Sequence, residues 1–187
     1  KLAEKFQKGR KRTEVEKLRA LIEKTLASMI VRNRSRTDLA EKFRRMIDEY
    51  NSGSRSIEEL FEELLAFTRE LSEEEKRGIA EGLSEEELAL FDILTKPEPK
   101  LTKKQEAEVK RVAATLLEML KTERLVLDWR NSEQTRAAVR QAVEIGLDEL
   151  PNVYGEKLFA TKCDLTYRHV FDCYYGDGGS VYESAVA

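Results

Sequence analysis

Ser56-Ile57-Glu58-Glu59-Leu60-Phe61-Glu62-Glu63-Leu64-Leu65-Ala66-Phe67-Thr68-Arg69-Glu70-Leu71 is the stretch that decides the fold class. Ser56 and Glu59 have the spacing of a capping box. A side-chain oxygen at the first position accepts from a free backbone N–H, and the carboxylate three residues on reaches back. Behind this start, Ile57, Leu60, Phe61, Leu64, Leu65 and Leu71 fall on one face of a helix. Upstream, Asn51-Ser52-Gly53 is a stop, because Asn and Gly tolerate the left-handed turn after a helix.

The same grammar recurs outward in both directions. Thr13 with Glu16, Ser72 with Glu75, Ser84 with Glu87, and Thr102 with Gln105 repeat the start signal. Apolar stripes follow: Val15, Leu18, Leu21, Ile22, Leu26, Met29 and Ile30; Leu39, Phe43, Met46, Ile47 and Tyr50; Val109, Val112, Leu116, Leu117 and Leu120; Val139, Ala142, Val143, Leu147 and Leu150. Their steps of three and four are those of buried helical faces. Helices are predicted near 1–8, 13–32, 38–50, 57–71, 73–81, 85–94, 103–122, 132–149 and 156–175. Leu125-Val126-Leu127 has the composition of a short strand, but no partner strand is visible. The predicted fold is all-α, a multi-helix bundle in two packed lobes. Pro97 and Pro99 forbid a continuous helix. The predicted organisation is therefore an N-terminal lobe over 1–95, a prolyl linker over 96–100, a C-terminal lobe over 101–175 and a flexible tail over 176–187.

Charged residues make up 37% of the 187, and there are only 9 Gly and 3 Pro, a balance that fits a helix-rich soluble protein. No apolar run is long enough to span a bilayer, and the charged start Lys1-Leu2-Ala3-Glu4-Lys5 is no signal peptide. No membrane association is expected. The chain starts without Met and reads as part of something longer. Two cysteines make no disulfide framework, so a cytoplasmic location is expected. Charge is uneven: residues 1–52 carry +7, residues 53–99 carry −9 and residues 100–187 carry −1. An acidic pI of about 5.6 argues against a stand-alone nucleic-acid binder, but a local basic face remains open to use.

Catalytic motifs are missing. There is no phosphate loop, no H-E-x-x-H and no C-x-x-C. His169 and Cys173 are one helical turn apart, yet two ligands do not close a zinc site, and no metal residue is assigned. No catalytic residue is assigned either, and no cofactor is expected in this chain. Two groups of residues are candidates for binding. Arg32, Arg34, Arg36, Arg44 and Arg45 form a basic cluster suited to a DNA backbone, not to base readout. Trp129, the single Trp, together with Arg130, Arg136 and Arg140, is the candidate partner-binding set. Trp and Arg dominate interface energies, although a core wedge is the commoner role for a Trp in this setting.

Several words of the sequence, in order, carry a resemblance. They are Asn33-Arg34-Ser35-Arg36, Phe43, Ile47-Asp48-Glu49-Tyr50-Asn51, Ser56 to Leu65, Glu81-Gly82-Leu83-Ser84-Glu85-Glu86-Glu87, Leu88 to Leu94, Asp128-Trp129 and Tyr174-Tyr175-Gly176-Asp177-Gly178. From about Val31 to Tyr182 the chain resembles the C-terminal helical region of the restriction subunit of type I restriction-modification enzymes. In that family a nuclease and an ATP-driven DNA translocase precede this region. The resemblance implies an assembly module that docks motor and nuclease onto the methyltransferase (modification) subunits. It implies ATP and Mg as cofactors of the parent enzyme, and DNA as a partner through the holoenzyme. The alternative it leaves open is a helical element that contacts the DNA backbone and supports the translocase. The nuclease and motor motifs have no counterpart here, so no catalytic residue carries over.

Overall fold

The computed structural model describes residues 11–183. Seven α-helices account for most of them: α1 Lys11–Arg32, α2 Thr37–Asn51, α3 Ile57–Glu81, α4 Glu85–Thr95, α5 Lys103–Met119, α6 Glu133–Leu147 and α7 Gly155–Cys173. The only strands among the described residues are β1 Tyr174–Gly176 and β2 Gly179–Ser180, which pair antiparallel. The fold is all-α. The helix expected over 1–8 lies outside the described residues, as do 184–187 of the expected tail.

Three of the predicted caps form. Ser56 N donates to Glu59 Oε2 at 2.7 Å and Glu59 N to Ser56 Oγ at 3.2 Å. Ser84 and Glu87 repeat the exchange at 2.7 and 3.2 Å, and Thr102 and Gln105 at 2.9 and 3.4 Å. Each pair satisfies two backbone donors that a helix start leaves open. The other two start signals do not begin helices. Thr13 lies inside α1, and α3 runs through Ser72 without a break. Ser72 and Glu75 are separated by no Gly or Pro. Leu71 and Gly78 are both buried along α3, so the helix keeps its packing across this point.

By their contacts the residues divide into two compact units, Lys1–Glu81 and Gly82–Ala187. The first unit is α1–α3. Val15, Leu18, Ile22, Leu26 and Met29 of α1 meet Leu60, Phe61, Leu64, Phe67 and Leu71 of α3, with Phe43 and Ile47 of α2 added. Phe43 and Phe67 stack with ring centroids 6.0 Å apart.

In the second unit, α4 is buried nearly all round, through Leu88, Ala89, Leu90, Phe91 and Leu94, the mark of a central helix. α5, α6 and α7 pack around it. Gly146 lets α6 approach α5: a Cβ there would sit 2.6 Å from Leu116 Cδ1. The division after Glu81 differs from the one expected at 96–100. Two prolines end a helix, but α4 before them and α5 after them share one core. A helix stop is not a lobe boundary. Residues 174–183 likewise form the β-hairpin and its continuation, with Tyr174, Ser180 and Tyr182 buried, instead of a tail.

Candidate interaction site

α5 ends in a wider turn, a π-helical segment Leu120–Arg124, and Leu125 N closes it on Leu120 O at 2.9 Å. π-turns of this kind gather at functional sites. The loop that follows is not a strand. Trp129 N donates to Val126 O at 3.2 Å, and Asp128 takes a left-handed φ of 58°. Leu125 and Trp129 point into the core, while Val126 and Leu127 face solvent.

Trp129 is completely buried. Its indole Nε1 donates to Tyr174 O at 3.2 Å, and its ring meets Phe171 edge-on at 5.8 Å. It is a strut between the loop, α7 and the hairpin. Its place among the candidate partner-binding residues is corrected: a fully covered indole has no surface to offer. The hairpin closes over the loop through Gly176, at φ 93°, where a Cβ would lie 2.6 Å from Val126 O.

Arg130 is held beside this strut. Its guanidinium lies 4.7 Å from the Phe171 ring centroid and 4.9 Å from that of Tyr175. Nη2 donates to Phe171 O. Arg136, in the first turn of α6, donates from Nη1 to Arg130 O at 2.7 Å. The structure thus brings Trp129, Arg130 and Arg136 together. Arg140 sits apart: it pairs with Asp164 at 2.5 Å and lies over Tyr167 at 4.5 Å.

Two buried polar side chains behind the site, Lys162 and Tyr154, are satisfied by partners far away in sequence. Lys162 Nζ donates to Ile93 O and Lys96 O, both at 2.8 Å, and Tyr154 OH to Leu94 O at 3.1 Å. These donors meet carbonyls that the end of α4 would otherwise leave open. Burial holds the Lys162 ammonium below its ordinary pKa and pushes the Tyr154 phenol up to about 12. His169 places Nε2 3.0 Å from Tyr182 OH and Nδ1 3.6 Å from Cys173 Sγ. Burial, first, raises Cys163 to about 11. No group of three His, Cys, Asp or Glu residues among those described is placed to hold a metal ion. Neither Lys162 nor Tyr154 is marked by a motif; each is recognisable only once the helices are packed.

The basic cluster of the first unit is divided. Arg36 is buried, and its Nε donates to Glu74 Oε1 at 2.9 Å. This corrects its assignment to a DNA-facing set, because the guanidinium is committed to the fold. Arg32 is half-buried and reaches back to Ser28 O at 3.3 Å. Arg34, Arg44 and Arg45 are exposed.

The family model described as type I restriction enzyme HindI endonuclease subunit-like, C-terminal, matches residues 1–165. The chain belongs to this family. In this restriction-enzyme C-terminal region, the match takes in both units and all the helices up to the greater part of α7. A similar protein from Methanocaldococcus jannaschii, provisionally named as the type I restriction enzyme MjaIXP endonuclease subunit, is 27% identical over 107 residues. The alignment covers 57% of this chain and 10% of that protein's length. No solved structure matches the chain. No helix among the described residues is long and apolar enough to cross a membrane.

Proposed function

We propose that the chain is the non-catalytic C-terminal assembly module of a type I restriction endonuclease. It docks the enzyme's ATP- and Mg-dependent motor and its nuclease onto the methyltransferase core, in the cytoplasm. The family match over residues 1–165 carries this reading. What supports an assembly role over a chemical one is where the unusual side chains go. The buried His169, Cys173, Lys162 and Tyr182 are engaged with one another or with backbone carbonyls, as structural groups are. The surface left over offers exposed apolar side chains in the loop and hairpin around the half-buried Arg130, the material of protein interfaces.

The test is to co-express the full endonuclease polypeptide with the modification subunits and measure its assembly with and without variants in this region. Deletion of residues 125–187 is not suitable, since it removes α6, α7 and Trp129 from the core. Point variants of exposed residues are the proper reagents. Assembly that is indifferent to every such variant, in an endonuclease that still translocates, counts against docking.

A second reading is favoured by the exposure of Arg34, Arg44 and Arg45 in the first unit, which would let it follow a DNA backbone. Such binding is non-specific and weak, with Kd about 10⁻⁴–10⁻⁶ M at physiological salt, and it falls steeply as salt rises. A duplex titration at two salt concentrations separates it from docking.

A further inference from the structure

Arg130 and Arg136 are both half-buried, and neither is paired with a carboxylate among the described residues. Three other cations of the same unit do have carboxylate partners: Arg111 with Glu149, Arg140 with Asp164 and Lys121 with Glu86. Arg130 is fixed between two aromatic rings, and its Nε is covered with no acceptor in reach. A guanidinium partly withdrawn from water and left without an anion costs free energy that a carboxylate from outside would return. The surroundings are apolar. Val126 is 51% exposed, Leu127 69% and Tyr175 51%. Arg130 lies over the Tyr175 ring, and the next residue, Gly176, lies against Val126 O, so the hairpin that carries Tyr175 is seated on the loop that carries Val126 and Leu127.

We infer that this patch is the docking face of the module, and that it receives a protein segment carrying a carboxylate beside an apolar side chain. The carboxylate meets Arg130 and Arg136, and the apolar side chain covers Val126, Leu127 and Tyr175. The inference rests on the docking reading above and specifies where docking occurs. Apolar exposure beside the two guanidiniums decides for protein over nucleic acid. Exposed Val126 and Leu127 gain nothing from phosphate, but they gain from apolar burial.

The experiment measures association of the full chain with purified modification subunits. It compares wild type with V126S/L127S and with R136E, and adds a short DNA duplex in a parallel titration. Val126 and Leu127 face solvent, so the double variant keeps the fold and melts like wild type. Each variant is expected to weaken association ~10-fold or more, as interface anchors do, with duplex affinity unchanged. Raising salt should weaken wild-type association and matter less for R136E. If wild type associates and both variants match it, the patch is not the docking face, while docking itself stands. If the variants lose duplex binding and keep the modification subunits, the patch serves nucleic acid and the inference is overturned. If wild type does not associate at all, docking and its proposed face fall together.

Discussion

The phenol of Tyr174 donates to Glu86 Oε2 at 2.9 Å, across 88 residues of sequence. The bond ties the strand that follows α7 to the first turn of α4. Lys121 reaches the same carboxylate at 3.0 Å, so a single acid gathers three elements of the second unit. Tyr174→Phe removes a buried donor and leaves Glu86 with Lys121. The expected loss is about 1–3 kcal/mol of stability, read as a lower denaturant midpoint with an unchanged slope. A midpoint equal to wild type would mean that the bond contributes nothing net.

Three phenols of the second unit resist ionisation. Burial is the largest cause in each, and it raises Tyr154 to about 12 and lifts Tyr174 and Tyr182 further. Their folded pKa values lie above the unfolded value of about 10. The stability linked to them is therefore complete below pH about 10 and is lost as pH rises toward the folded values. Cys163 acts in the same direction from a somewhat lower pH. Lys162 acts in the opposite direction, because its folded pKa is depressed, but it is one group against four. In an alkaline titration, phenolate absorbance from three of the six tyrosines should appear only together with loss of helical circular dichroism. Full phenolate absorbance with the helix signal intact would contradict this.

In the first unit, burial works to raise the Glu74 pKa, but hydrogen bonds from Arg77 and Arg36 outweigh it and hold the carboxyl below its ordinary value. A depressed carboxylate stabilises above its unfolded pKa, and that stabilisation disappears as pH falls through the folded one. Arg36→Met removes the buried partner. The expected cost at neutral pH is about 3 kcal/mol, and the acid-side fall in melting temperature should be shallower than in wild type. An equally steep acid limb in the variant would place the titrating group elsewhere.

Gly176 and Gly178 both have left-handed φ, 93° and 80°. Alanine is strained at either. Only at 176 would the added Cβ also strike backbone, 2.6 Å from Val126 O, whereas at 178 the nearest atom is 3.9 Å away. Gly178→Ala should cost about 1 kcal/mol, and Gly176→Ala clearly more. Trp129 fluorescence reports the difference directly, since Gly176 lies against its ring. Equal losses from the two substitutions would sink this account of the hairpin's seat on the loop.

Most of the helices, three of the five start signals and most of the buried faces were legible in the sequence because the physics behind them is local. The caps at Ser56, Ser84 and Thr102 need only a residue three positions on, and a stripe such as Val15 to Met29 needs only the helical period. The tertiary structure decided everything that depends on which faces meet. It placed α4 with α5 despite the prolines between them, because α4 is apolar nearly all round and had to be enclosed. It bonded Trp129 to Tyr174 O, and it drew Arg36 in to Glu74, although an Arg in a basic cluster reads as surface. It also set Arg130 between Phe171 and Tyr175, 41 and 45 positions away, and left Val126 and Leu127 outside. Period and capping specify each helix within a few turns of chain; the partners of a buried cation or indole are fixed only when distant segments close around it.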